Sequence, residues 1–172
     1  MLRTVAVAVA CLLVPAGVAS ACDGARSRPT QATLDRAVDA TVCLINQARA
    51  QHQLGALRSR GLLERAAMAH SRDMVRRDFF SHESPAGMTP QQRIDRTGYL
   101  AGARTWAVGE TIAWGTRGYA TPSSIVRGWL NSPGHRAILL DGRYRDLGIG
   151  IAIGAPSGGG GATFTGDFGM RK

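Results

Sequence analysis

Apolar residues recur at helical spacing from Leu34 through Val38, Val42 and Ile45, which predicts a helix over about residues 34–53. Thr33 stands where a cap would, and Gly55 follows the end. A second stripe, Leu62, Leu63, Ala66, Ala67 and Met74, predicts a helix over about 60–77 with Ser59 as its cap. Thr89-Pro90-Gln91-Gln92 offers a capping hydroxyl, a proline at the first helical position and a glutamine three residues after the cap. A short helix therefore starts there and runs to about Thr97, stopped by Gly98. Thr121-Pro122-Ser123-Ser124 repeats the signal ahead of Ile125, Val126, Trp129 and Leu130, and Ser132-Pro133-Gly134-His135 breaks that helix and opens a short one to about Leu140. Elsewhere the period is two. Residues 108–114 alternate, Leu147, Ile149, Ile151 and Ile153 alternate with Gly148, Gly150 and Ala152, and Phe164 and Phe168 mark a further extended run. The glycine-rich stretch 157–161 between the last two reads as a hairpin loop. Helices come first, then strand, helix, strand, strand. Strands this short and few predict an α+β fold, a small antiparallel sheet with helices against it.

The first 21 residues break this pattern. Arg3 precedes an apolar stretch from Val5 to Val14, Pro15 and Gly17 interrupt it, and Ala19-Ser20-Ala21 supplies small residues for cleavage. That is the layout of an export signal, too short to cross a bilayer of about 30 Å as a helix. The chain thus divides into a signal peptide at 1–21, an arm at 22–33 that is small and polar with Pro29, and one domain at 34–172, with a secreted or extracytoplasmic destination. Cleavage leaves two cysteines, Cys22 and Cys43. An even pair in an exported chain reads as a disulfide. The alternative, lipid attachment at Cys22, lacks the usual leucine three residues earlier and leaves Cys43 unpaired.

Composition adds less. Hydrophobic residues make up 44% and charged residues 19% of 172, an ordinary balance for one globular domain. The net charge is +9, with Lys172 the sole lysine beside twenty arginines. The arginines are scattered, and no run of like charge marks a polyanion-binding tail, so nucleic acid is not an expected partner.

Candidate chemistry centres on His82, Glu110 and His135. Each lies at an element boundary or on a strand, flanked by Gly, Pro or Ser, where functional residues concentrate. Two imidazoles and a carboxylate could ligate a divalent ion such as Zn2+, or the carboxylate could orient a histidine as a general base. His82-Glu83 does not open a metalloprotease helix, because no second histidine follows at the needed spacing and Pro85 opposes a helix. His52 and His70 fall on predicted helices and read as surface or packing residues. Asp73 reads as solvated or capping, and Trp106, Trp114 and Trp129 as core aromatics. No Gly-x-Ser-x-Gly elbow is present. Cys43 lies on an inner helix face, which suits a disulfide or core role better than a reactive thiolate.

The ordered segments are more telling than any one of them. They are Cys43-Leu44-Ile45-Asn46-Gln47-Ala48-Arg49, His70-Ser71-Arg72-Asp73-Met74, Phe79-Phe80-Ser81-His82, Gly109-Glu110-Thr111-Ile112-Ala113, Trp129-Leu130-Asn131-Ser132-Pro133-Gly134-His135-Arg136 and Leu147-Gly148-Ile149-Gly150. Together they resemble the CAP superfamily, or SCP domain, of cysteine-rich secretory, antigen 5 and pathogenesis-related proteins, in its bacterial branch. The resemblance implies an α-β-α sandwich with a small antiparallel sheet between helical layers. It also implies a cleft with two His and two acidic residues that binds zinc in some members. By motif, His82 matches the first His and Glu110 the Glu of a Gly-Glu-Asn motif, where this chain has Thr111 for Asn. The His-Tyr-Thr-Gln motif of animal and plant members is absent, and His135 stands in for its His. The second acid falls near Ser132, which is not acidic. The branch often pairs a cysteine near the mature N-terminus with one in the first helix, here Cys22 with Cys43.

Three functions follow as expectations. The first is a secreted, non-enzymatic module that binds a lipid or sterol, a cell-wall component or a host-surface ligand in a cleft around His82, Glu110 and His135. The second is a metal-assisted hydrolase or peptidase using the same cleft. The third is an inert, disulfide-braced envelope scaffold. Ligand identity and oligomeric state stay open.

Overall fold

The computed structural model of the protein describes residues 22–172; the expected export signal lies outside the described residues. The helices form close to where the apolar stripes place them: α1 at Leu34–Gln51, α2 at Gly61–Arg76, α3 at Pro90–Arg96, α4 at Pro122–Asn131 and α5 at Pro133–Leu139. Three long strands, β2 at Trp106–Gly115, β3 at Asp146–Ile153 and β4 at Ala162–Arg171, make the sheet. A two-residue strand β1, Arg58–Ser59, completes it in the order β1-β3-β4-β2. The three long strands pair antiparallel, whereas β1 pairs parallel with β3. That short parallel strand carries no apolar alternation, so periodicity had nothing to register. It forms because the chain leaving α1 skirts the β3 edge before entering α2. Asn46 pins it there, accepting from the Leu57 amide at 2.8 Å and donating to the Leu57 carbonyl at 3.1 Å.

The sheet buries both faces, with different material on each. Leu147, Ile149 and Ile151 of β3 and Phe164 and Phe168 of β4 face α1, α4 and α5, where Ile45, Ile125, Val126, Trp129 and Leu139 complete an apolar core. Pleating sends Gly148 and Gly150 to the opposite face. There α2 lies directly on the strand: a Cβ at Gly148 would stand 2.2 Å from the Glu64 amide nitrogen, and one at Gly150 2.1 Å from that of Met68. Glycine is required at both for this approach. The helix α3 flanks α2, and Leu63, Ala66, Ile94, Tyr99 and Leu100 form a smaller cluster on that side.

Polar staples fix the ends. The Cys22–Cys43 disulfide closes with a Cα–Cα distance of 5.8 Å and ties the arm to α1. The buried Arg49 donates to the carbonyls of Gly55 at 2.9 Å, Leu139 at 2.8 Å and Asp141 at 3.0 Å, so the end of α1 holds the end of α5. Three local expectations change. The cap of α2 is Arg60, not Ser59, and no side chain caps it. A single 3-10 turn, Gln31–Thr33, precedes α1, and Thr33 bonds back to Thr30 instead of capping the helix. Of the three tryptophans only Trp129 is core; Trp106 and Trp114 sit at opposite ends of β2 and are 40% and 39% exposed.

Candidate functional site

Glu110 lies mid-β2 on the face that α2 and α3 cover, and its side chain is almost wholly buried. A buried carboxylate must be neutralised or hydrogen-bonded, and two neighbours do this. Arg93 of α3, itself buried, donates through one guanidinium nitrogen to Oε2 of Glu110 and through the other to the Met88 carbonyl at 2.9 Å. The reciprocal Thr89–Gln92 capping box sets the position of α3 and so of Arg93. On the other oxygen, Nδ1–H of His82 donates to Oε1 at 2.7 Å. This leaves Nε2 of a neutral His82 as the lone-pair nitrogen. His82 belongs to the loop after α2 and is 49% exposed, so the dyad joins a buried charge to the surface.

His70 holds that loop. Its Nε2–H donates to the Ser81 carbonyl at 2.9 Å, one residue before His82, and Nε2 stands 3.9 Å from Oε1 of Glu110. Burial keeps His70 below the usual histidine range, partly opposed by the Glu110 charge. The packing role expected for His70 is thus only half of its part. His135 is the third residue of α5 and half-buried. Its pKa is lowered by burial and then by the charge of His82, which marks the two imidazoles as electrostatic neighbours. His52 is exposed, and Asp73 pairs with Arg76 at 2.7 Å and Arg77 at 3.4 Å.

Two members of the cluster escaped the reading of the sequence. One is Arg93. The other is Asp167 of β4, directly opposite Glu110 across the β2–β4 ladder. It is fully buried, and neither carboxyl oxygen has a hydrogen-bond partner. Burial, and then the adjacent Glu110 charge, raise its pKa well above the ordinary carboxylate range. Burial thus favours the protonated form of Asp167 beside the ion-paired Glu110. An acid between Phe164 and Phe168 in a buried run is the signal that could have exposed it.

The donor set does not fit a metal ion. Among the described residues no three His, Cys, Asp or Glu side chains are grouped to hold one. Glu110, the carboxylate expected to ligate, already carries a guanidinium on one oxygen and an imidazole on the other.

A model of the CAP family, described as the cysteine-rich secretory protein family, matches residues 42–168. The chain belongs to this family. The CAP domain is 33% identical over 107 residues to the Bacillus subtilis protein YkwD, covering 62% of this chain and 39% of that protein. It is 34% identical over 108 residues to the B. subtilis membrane protein YlbC, covering 63% of this chain and 29% of that one. The matched segment thus spans well under half the length of either curated relative. Among solved structures, an extracellular SCP-domain protein of Bacillus anthracis superposes with a TM-score of 0.65 at 28% identity, over 84% of this chain and 44% of that one. An outer surface protein of Borrelia burgdorferi shares the fold, with a TM-score of 0.63 at 23% identity over 76% of this chain and 90% of that one. The family, the mixed α and β sandwich and the disulfide agree with the expectations from sequence. Among the described residues no helix is long and apolar enough to cross a membrane.

Proposed function

We propose that this CAP domain is an extracytoplasmic, non-enzymatic module that binds a lipid or sterol, a cell-wall component or a surface ligand through the cleft around His82, Glu110 and His135. One observation carries the reading: a half-exposed imidazole is held at 2.7 Å by a buried carboxylate whose other oxygen is tied to Arg93. A polar group fixed in this way loses little freedom when a ligand binds, so its hydrogen bond is not offset by ordering. With Glu110 committed to Arg93 and His82, the outward-facing chemistry is the nitrogen of His82 with the imidazole of His135 nearby. Among the described residues neither the Ser81 nor the Ser132 hydroxyl is bonded to a histidine, so those two serines do not form the nucleophile-and-base pair of a covalent hydrolase.

The purified domain is screened against lipid vesicles with and without sterol, peptidoglycan fragments and polysaccharides. The proposal expects one class to bind and the His82→Ala, His135→Ala double variant to lose about tenfold or more, equal to about 1.4 kcal/mol. Binding unchanged in that variant removes the cleft from the proposal.

The dyad itself favours a second reading. A histidine oriented by a carboxylate is the arrangement of a general base that activates water. Cleavage of a peptide library by tag-free protein, abolished in His82→Ala, would install this reading. An absence of cleavage together with an absence of stoichiometric zinc discards it.

A further inference from the structure

A groove separates α2 from the segment running through Met88 into α3, with a volume of about 600 Å³. It meets the dyad only through His70 and Arg93, and neither His82, Glu110 nor His135 lines it. Six arginines line it, against one acid, Asp73. Their partners sort them. Arg76 and Arg77 are engaged by Asp73, and Arg93 by Glu110. Arg65, Arg72 and Arg96 are exposed and have no hydrogen bond or ion pair among the described residues. Another basic hollow, around Asp146, is different: Arg58 and Arg60 pair with Asp146, Arg143 with Asp141, and Arg145 and Arg171 with main-chain carbonyls. The guanidiniums of that hollow are held by hydrogen bonds or ion pairs within the fold, whereas three in the α2–α3 groove are held by none among the described residues.

The arrangement is linear. Arg65, Arg72 and Arg76 are spaced seven and four residues apart on α2, which places them in one stripe about 16 Å long. Arg96 faces them from α3. Between the rows lie small side chains, Ala66, Ala69 and Ala86, with Met88, and no Phe, Tyr or Trp; the one imidazole of the lining, His70, is buried and bonded to Ser81. A row of guanidiniums matches a row of phosphates, each planar fork fitting two oxygens. Recognition of single-stranded nucleic acid adds aromatic platforms for the bases, and this groove has none. A narrow floor of alanines fits a slender backbone instead.

We propose that the α2–α3 groove is a binding site for a linear phosphodiester polymer on a small polyol backbone, such as a poly(glycerol phosphate). The site does not rest on the function proposed for the His82 cleft. Desolvation of the phosphates is shallow, because the groove is open on one side, so affinity comes chiefly from charge and counterion release and falls steeply with salt.

The test titrates the protein with a fluorescent glycerol phosphate oligomer between about 50 mM and 200 mM salt. Parallel arms use an oligothymidylate, an oligogalacturonate and neutral dextran. Wild type binds the glycerol phosphate oligomer more tightly than all three. The Arg65→Ser, Arg72→Ser, Arg96→Ser variant loses about tenfold or more, and its dependence of log K on log salt is shallower by about 2. A control with the same change in charge, Arg28→Ser, Arg104→Ser, Arg127→Ser, removes exposed arginines outside the groove and stays within about twofold, a small fraction of the tenfold that corresponds to about 1.4 kcal/mol. Ala69→Glu, an exposed change on the groove floor, reproduces the loss without deleting an arginine. Equal losses in the two triple variants would reduce the effect to net charge and overturn the site. Oligothymidylate binding as tight as the polyol phosphate overturns the assigned partner, and no binding by wild type at the lowest salt overturns both.

Discussion

The two faces of the sheet hold the molecule together by different means. Against α1, α4 and α5 the strands present Leu147, Ile149, Ile151, Phe164 and Phe168, and the interior is hydrocarbon with close-fitting side chains. Against α2 and α3 the same strands present Gly148, Gly150, Thr165, Asp167 and Glu110, each alternating with the apolar set. There the helix rests on bare backbone, Ser71 bonds Thr165 at 2.8 Å and the Gly150 carbonyl at 3.0 Å, and an arginine and two carboxyls are buried together. The apolar face tolerates reshaping, because dispersion and burial are non-directional. The polar face is less forgiving at its ion pair, since removing one member leaves the other as an uncompensated buried charge, which costs more than a lost contact. The candidate dyad stands on the second face, at the surface end of that network.

This contrast is open to direct attack. The largest effect is expected at Glu110. Glu110→Gln keeps an acceptor for His82 but leaves Arg93 buried without its anion, at a cost of about 3–5 kcal/mol in denaturant unfolding. Phe168→Ala on the apolar face should cost a similar 3–5 kcal/mol, about equal but independent of pH. If Asp167 ionises to replace Glu110, the Glu110→Gln loss shrinks and the added Asp167→Asn change restores it in full. An additive double variant would show that the two carboxyls are not coupled. Cys43→Ser comes next, at about 2–5 kcal/mol, by releasing the 21-residue separation that the disulfide closes.

A smaller effect separates two glycines. Gly150→Ala forces a methyl into the backbone of α2 and should cost at least about 1–3 kcal/mol. Gly128→Ala, in α4 with open space around its Cβ position, should instead stabilise by about 0.5–1 kcal/mol. Similar thermal shifts for both would mean that α2 is not seated on β3.

The smallest and most diagnostic effect is in pH dependence. Asp167 holds its proton to higher pH in the folded state than in the unfolded chain, which releases it near 3.8. The folded state then binds more protons, so this group lowers stability as pH rises above 3.8 toward its folded value. Asp167→Asn removes the effect: the variant should be at least as stable at pH 7, by about 1 kcal/mol, with a flatter profile above 3.8. His70 acts in the other direction. Its folded pKa lies below 6.5, so the unfolded state binds the extra proton and stability is lost as pH falls below 6.5. His70→Gln should remove that acid-side loss. Unchanged curves in both variants would contradict the assigned protonation states.

The apolar face was legible from periodicity. Leu147-Gly-Ile-Gly-Ile announces a strand with one buried side, and Thr89-Pro90 and Thr121-Pro122 announce helix starts, because caps and alternation are local. Parity of cysteines pointed to Cys22 and Cys43. His82 and Glu110 could be singled out by their surroundings and by the family resemblance, yet 28 residues separate them and nothing local states that they bond. Arg93 sits in an amphipathic turn like many exposed arginines. Trp106 and Trp114 were misjudged for the converse reason: aromatic residues suit a core, but these two fall at the ends of a strand where the covering helices stop.

Sequence by itself determined the α+β class and nearly every helix and strand, since each depends on spacing that the chain carries locally, while cysteine parity and the family resemblance pointed to the disulfide pair and to His82 and Glu110. Only the tertiary structure decided that Glu110 faces Asp167 across a ladder, that Arg93 neutralises it and that His70 holds the His82 loop. It also decided that three arginines of one groove remain without partners among the described residues. Whether a charged group is buried, paired or free depends on what distant segments bring to it, and a one-dimensional pattern does not encode that sum.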